Sequence, residues 1–252
     1  MARYSKNYIR EAVIRIDLLN PINELDDYIS EDINIFLMKT FSDREQKDSY
    51  SDEIKLDALT GSVERKRIPR KEWNYFRHER KKRICLTKNF LFISFQEYSS
   101  YDDFSECFVA LLKLFSEKYP DIQASRIGVR YVNNIVIVED PGEPLEWSKY
   151  IKPELLSSFS LKPENSELVR TVQVLEHVFP KDDIRVKFQY GMHNPDYPAV
   201  IKKKLFLLDI DGYKKGALNW DDLIYLISEI HSNVEIYFEK SITETLREKM
   251  NE

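Results

Sequence analysis

The sequence predicts an α+β protein, with a largely antiparallel sheet and long helices. Three observations predict it. Residues Arg126–Val138 nearly all favour a strand, with Ile127, Val129, Tyr131, Ile135 and Ile137 on one face at period two. Two amphipathic helix patterns interrupt the strand patterns before it. Three more strand patterns and a third long helix follow it.

Strand one is predicted at Glu11–Leu19, where residues alternate, and Asn20-Pro21 stops it. Residues 1–8 are expected to form a loose arm. Asn23 is placed to cap a helix with the stripe Leu25, Ile29, Ile33, Phe36, Leu37 and Phe41, and Tyr28 beside it. Asp43–Asp52 is polar apart from Tyr50 and is expected to be a loop. Glu53–Leu59 alternates as a second strand and ends at Thr60-Gly61. Arg83–Thr87 and Phe90–Phe95 are predicted as a hairpin around Lys88-Asn89. Asp102 or Asp103 is expected to cap a second helix, with Phe104, Phe108, Leu111, Leu112 and Phe115 as its stripe and Tyr119-Pro120 as its end. The Arg126–Val138 strand follows. It carries Val132, Val136 and Val138 on its second face, so both faces are expected to be covered.

From Glu11 to Val138 this is the β-α-β-β-α-β order of a ferredoxin-like unit, with an extra hairpin. Glu139–Pro144 is the expected internal boundary. It separates a first part, 1–138, from a second α+β part, 139–252, and one continuous domain is equally compatible. The second part is predicted to hold a short helix (Trp147–Leu156), a polar linker (Ser157–Glu167) and three strands at Leu168–Val178, Ile184–Tyr190 and Lys204–Ile210. A long helix then spans Asp222–Phe238, with Leu223, Leu226, Ile227, Ile230 and Val234 facing the core, before a short helix at Thr243–Met250.

Composition narrows the function. The 252 residues are 42% hydrophobic and 32% charged, as expected of a globular chain with a substantial core. Six glycines fall in neither a GxGxxG nor a GxxxxGK[ST] spacing, which argues against a glycine-rich phosphate loop. Cys85 and Cys107 form no metal or redox spacing and are expected to be reduced core thiols. The first residues lack an apolar signal core, and a cytoplasmic protein with no membrane association is expected.

The strongest local signal is basic. Arg65, Lys66, Arg67, Arg70, Lys71, Arg77, Arg80, Lys81, Lys82 and Arg83 stand against Glu72 and Glu79, so residues 65–83 carry +8 in a chain of net charge −5. Trp73, Tyr75 and Phe76 are interleaved. Such a segment can grip phosphates and stack bases, and it can equally be a solvated face or pair with acidic surface. Arg126, Arg130 and Asn133 are pocket candidates. An arginine in a central strand needs a carboxylate partner or an anionic ligand, and a structural ion pair is the favoured reading for Arg130. Asp209 and Asp211 share a strand face before Gly212 and could hold Mg²⁺, but an Asp-Gly turn neutralised by Lys214-Lys215 explains them more simply. His78, His177, His193 and His231 have no ligand spacing. No cofactor, metal site or catalytic residue is assigned.

Three segments then carry a resemblance: Tyr8–Ile16, the Gly128-Val-Arg-Tyr-Val-Asn133 core of the central strand, and His231…Phe238-Glu-Lys-Ser-Ile-Thr243. Together they resemble a sporadically distributed prokaryotic family of proteins of about this length and of unknown function. The resemblance implies one intact protein type, a setting in defence or mobile-element systems, and no known catalytic residues. The function expected is therefore non-catalytic: a binding, accessory or regulatory protein contacting a protein or nucleic-acid partner. The alternatives are RNA or single-stranded DNA binding through residues 65–83, and a metal-dependent enzyme of phosphate chemistry using Asp209, Asp211 and Arg130.

Overall fold

Ala124–Val136 sits inside one large antiparallel sheet in the computed structural model, which describes residues 4–56, 63–137, 146–161, 163–166, 168–194, 197–198 and 205–252. Among the described residues the strands are β1 (Ile9–Leu18), β2 (Asp43–Leu56), β3 (Val63–Arg77), β4 (Lys82–Leu86), β5 (Phe90–Phe95), β6 (Ala124–Val136), β7 (Gln173–Phe179), β8 (Ile184–Met192) and β9 (Leu205–Leu218). Their order across the sheet is β2-β3-β4-β5-β1-β6-β9-β8-β7. The helices are α1 (Glu31–Thr40), α2 (Tyr101–Lys118), α3 (Trp220–Ser241) and α4 (Glu244–Asn251). The chain is thus α+β. β6 joins the two sequence halves, pairing β1 on one side and β9 on the other.

Alternation decides which face is buried. Ala12, Ile14, Ile16, Ile93, Val129, Ile210 and Phe188 point to the face that α1, α2 and α3 cover. Apart from Ala12, each such side chain contributes about 1.5–3 kcal/mol on leaving water. α2 is capped by the Ser100 side chain, which accepts from the Asp103 amide, not by an aspartate. α3 begins with a reciprocal Asn219–Asp222 capping box. Gly212 makes room for it: a Cβ there would lie 2.6 Å from Ile230 Cγ2 and 2.7 Å from Val234 Cγ2.

Several expectations are corrected. β6 is not covered on both faces. Its second face carries Arg126, Arg130 and Val132, and Arg130 and Val136 are exposed there, because among the described residues no helix lies over it. Asp43–Asp52 is not a loop but most of β2. Its described side chains are exposed, so it shows no apolar period, and backbone pairing with β3 makes it a strand. The predicted strand ending at Leu59 supplies the rest of β2 as far as Leu56; residues 57–62 lie outside the described part, as do Val138 and the boundary at Glu139–Pro144. The first helix is split into a 3-10 turn at Asn23–Asp26 and α1, with Ser30 between them at the α1 N-cap. Trp147–Leu156 forms two 3-10 turns, and a third, Ser157–Ser160, falls in the expected linker. Asp211-Gly212 is no turn: β9 runs straight through it to Leu218.

Candidate functional site

The basic segment is divided between two environments. The β2–β3 hairpin outruns the sheet. β3 meets β4 only from Trp73 to Arg77, while pairing with β2 continues from Lys47↔Glu72 to Leu56↔Val63. Arg65, Lys66, Arg67, Arg70 and Lys71 all lie on this two-stranded ribbon. Arg65, Arg67 and Arg70 are exposed, the Arg67 guanidinium lies 4.2 Å from the Tyr50 ring centre, and the Lys66 side chain is outside the described part. Trp73 marks the root. It is buried, and its Nε1 donates to the Leu25 carbonyl at 2.7 Å.

Beyond Trp73 the cations are engaged within the chain. Arg77 and Lys82 each donate to Asp103 at 2.6 Å. Burial pushes the Asp103 carboxyl up, but hydrogen bonds from Lys82, Arg77 and Ser99 outweigh it and hold the pKa at about 2. Arg80 pairs with Asp43 and Glu45, and Lys81 lies 3.5 Å from Glu97. Arg83 donates to Asn74 at 2.8 Å and reaches Glu72 at 3.7 Å. The +8 of the sequence is therefore not a single cationic patch.

The pocket candidates fall on opposite faces of β6. Arg130 grips Asp209 bidentately at 2.7 and 2.6 Å, and Arg126 donates to Asp211 at 3.1 Å. Both pairs stand on the open face of the sheet, where the Arg126 guanidinium lies against Gly128. Asp209 and Asp211 are neutralised by these arginines, not by Lys214-Lys215; Lys214 donates instead to the Asp182 carbonyl. Among the described residues no three His, Cys, Asp or Glu side chains converge to hold a metal. Asn133 points the other way and donates to the Leu208 carbonyl at 3.2 Å.

Asn133 lines a cavity that no sequence pattern marked. It measures about 520 Å³ and lies between the N-terminal segment, the β5–α2 loop, β6 and α3. Tyr4, Tyr98, Tyr101, Tyr131 and Phe238 supply aromatic wall, and Asp102, Glu235 and Glu239 supply carboxylates. His231 anchors the back. Its ring stacks on Tyr101 at 3.9 Å, and Nδ1 is 3.0 Å from the Tyr131 hydroxyl. Tyr98 meets Tyr131 edge-on at 5.6 Å. Burial lowers the His231 pKa to about 4 and pushes Tyr98 up to about 12, so both are neutral near pH 7. Burial also raises Glu235. Glu239 is engaged, accepting from Tyr4 at 2.7 Å and from Arg247 at 2.9 Å. The one legible hint is the spacing of His231, Glu235 and Phe238 along one side of α3.

No family model matches the chain, and no curated protein is significantly similar to it. Among the described residues no helix is long and apolar enough to cross a membrane.

Proposed function

We propose that the chain is a non-catalytic binding protein that docks a protein partner through the β2–β3 ribbon. The observation that carries this is the ribbon itself. It continues ten residue pairs past the sheet, about 33 Å at the usual rise per residue. Among the described side chains from Asp43 to Glu72, none belongs to the core. A two-stranded ribbon alone is marginal in water, and a partner would bury it. Its charges are mixed. In the sequence of its paired strands, Lys47, Lys55, Arg65, Lys66, Arg67, Arg70 and Lys71 count against Asp48, Asp52, Glu53, Glu64 and Glu72, for a net +2. That balance suits a protein surface better than a polyanion. β2 is also an edge strand, whose outer backbone groups can add a strand from another chain.

Nucleic acid is the second reading, supported by the five cations between Arg65 and Lys71 on β3. The β4-β5-β1-β6 order, with α1 and α2 on one face, supports reading the first part as a ferredoxin-like core carrying the ribbon as an insertion. The resemblance adds the proposal that the partner is encoded beside this chain in a defence or mobile-element system.

The test replaces residues 48–71 by an Asn-Gly turn between Lys47 and Glu72, which face each other across the hairpin. Co-expression with neighbouring gene products should yield a complex with the full chain and none with the shortened one, at matching melting temperature. Equal capture by both chains would remove the ribbon from the interface. A steep loss of single-stranded RNA or DNA binding with salt, reduced by neutralising Arg65, Arg67 and Arg70, would favour the second reading.

A further inference from the structure

We propose that the cavity behind Tyr131 is a binding site for a neutral heteroaromatic molecule that carries a ring N–H. It is independent of the ribbon and lies on the helix-covered side of the sheet.

An open acceptor calls for the N–H. Asn133 lines the cavity and is only 2% exposed. Its Nδ2 donates to the Leu208 carbonyl at 3.2 Å, and its Oδ1 accepts from no described group. The described side-chain atoms that are both sealed and unpartnered are Asp26 Oδ1, Ser30 Oγ and Arg77 Nε, and Asn133 Oδ1 is not among them. The oxygen therefore keeps its access through the cavity, and a ring N–H brought there would pair with it.

The wall calls for a ring. Tyr98 meets Tyr131 edge-on at 5.6 Å, Tyr101 and Tyr131 pack against His231, and Phe238 meets Tyr4 edge-on at 6.4 Å. A planar molecule placed among them finds the edge and face contacts that aromatic pairs favour, which an aliphatic group of equal volume lacks. The volume, about 520 Å³, accepts a two-ring molecule.

Charge calls for a neutral ligand. Glu239 is held by Tyr4 and Arg247, and Asp102 is engaged within the chain as well. Burial disfavours the ionised form of Glu235, and the amino-terminal charge already acts on it. His231 and Tyr98 are neutral near pH 7. A cation thus finds no free carboxylate, and an anion finds no lysine or arginine among the described lining residues.

Calorimetric titration of the full chain tests this with four probes. They are indole, its isostere benzofuran, in which a ring oxygen replaces the N–H, and the charged relatives tryptamine and indole-3-acetate. Indole is expected to bind with a Kd of about 1 mM or tighter, and about fivefold tighter than benzofuran, the worth of one hydrogen bond. Neither charged relative should bind more tightly than indole. Asn133→Leu should erase the difference between indole and benzofuran. Glu235→Trp, which fills the cavity from a half-buried position, should abolish binding of both at an unchanged melting temperature. Equal affinity for indole and benzofuran in the unaltered chain overturns the proposal, whether or not Asn133→Leu folds. So does indole binding weaker than about 1 mM, tighter binding of tryptamine or indole-3-acetate, or indole binding that survives Glu235→Trp.

Discussion

Gly212→Ala tests how tightly α3 is seated on the sheet. The added methyl would lie 2.6 and 2.7 Å from methyl carbons of Ile230 and Val234, about 1 Å inside an ordinary carbon–carbon contact. Both neighbours are β-branched and fixed at χ1 in a helix, so they have no open rotamer to move into. Relief must come from a shift of α3 or β9, and such overpacking costs about 1–3 kcal/mol. The restricted unfolded chain returns about 0.4–1 kcal/mol. The expected result is a net loss of about 1–2 kcal/mol and, at about 2–4 °C per kcal/mol for a chain of this size, a melting temperature lower by roughly 2–8 °C. Gly128→Ala is the matched control. The atoms its methyl would approach most closely belong to the Arg126 guanidinium, at 2.8 Å, a flexible end that can swing toward solvent. Urea unfolding followed by circular dichroism reads both variants. A neutral or stabilising Gly212→Ala, or a Gly128→Ala of equal cost, would refute this packing.

Other outcomes follow from buried charge. Asp103→Ala strips both Arg77 and Lys82 of their carboxylate, and the Lys82 side chain is only 8% exposed. A loss of about 2 kcal/mol or more is expected, with part recovered in the Lys82→Met, Asp103→Ala double variant. Wild-type acid sensitivity should include this group. Its folded pKa of about 2 lies below the ordinary carboxylate value, so its stabilisation is present above about 4 and lost as pH falls toward 2. His231 acts in a higher window. Its folded pKa of about 4 lies below the usual 6.5, so the unfolded chain binds the proton first; stability is full above about 6.5 and falls as pH drops toward 4. His231→Gln should flatten the slope of unfolding free energy in that window, and an unchanged slope would mean that the ring is not held neutral.

Apolar period carried most of what was legible in the sequence. Ile127, Val129, Tyr131 and Ile135 announced β6, and Leu223, Leu226, Ile227, Ile230 and Val234 announced the buried side of α3. β2 was illegible for the same reason: its described side chains, Asp43–Asp48 and Tyr50, face water, and such a stretch has no period to read. The second face of β6 misled, because Val132 and Val136 suggested a covering layer where the sheet is open. The bidentate fit of Arg130 to Asp209 and the approach of Arg126 to Asp211 depend on the β6–β9 register, which local sequence does not encode. The cavity was the least legible feature. Tyr4, Tyr98, Tyr131 and His231 come from four distant stretches, and only the assembled fold brings them around one cavity.

Native-state hydrogen exchange tests the architecture most directly. If β6 is the shared interior strand and the β2–β3 ribbon projects alone, the amides of Ile127–Ile135 should exchange only through global unfolding, and those of Lys47–Leu56 and Val63–Glu72 through local opening of a few kcal/mol at most. Equal protection of ribbon and β6 in the isolated chain, or rapid exchange along Ile127–Ile135, would contradict it.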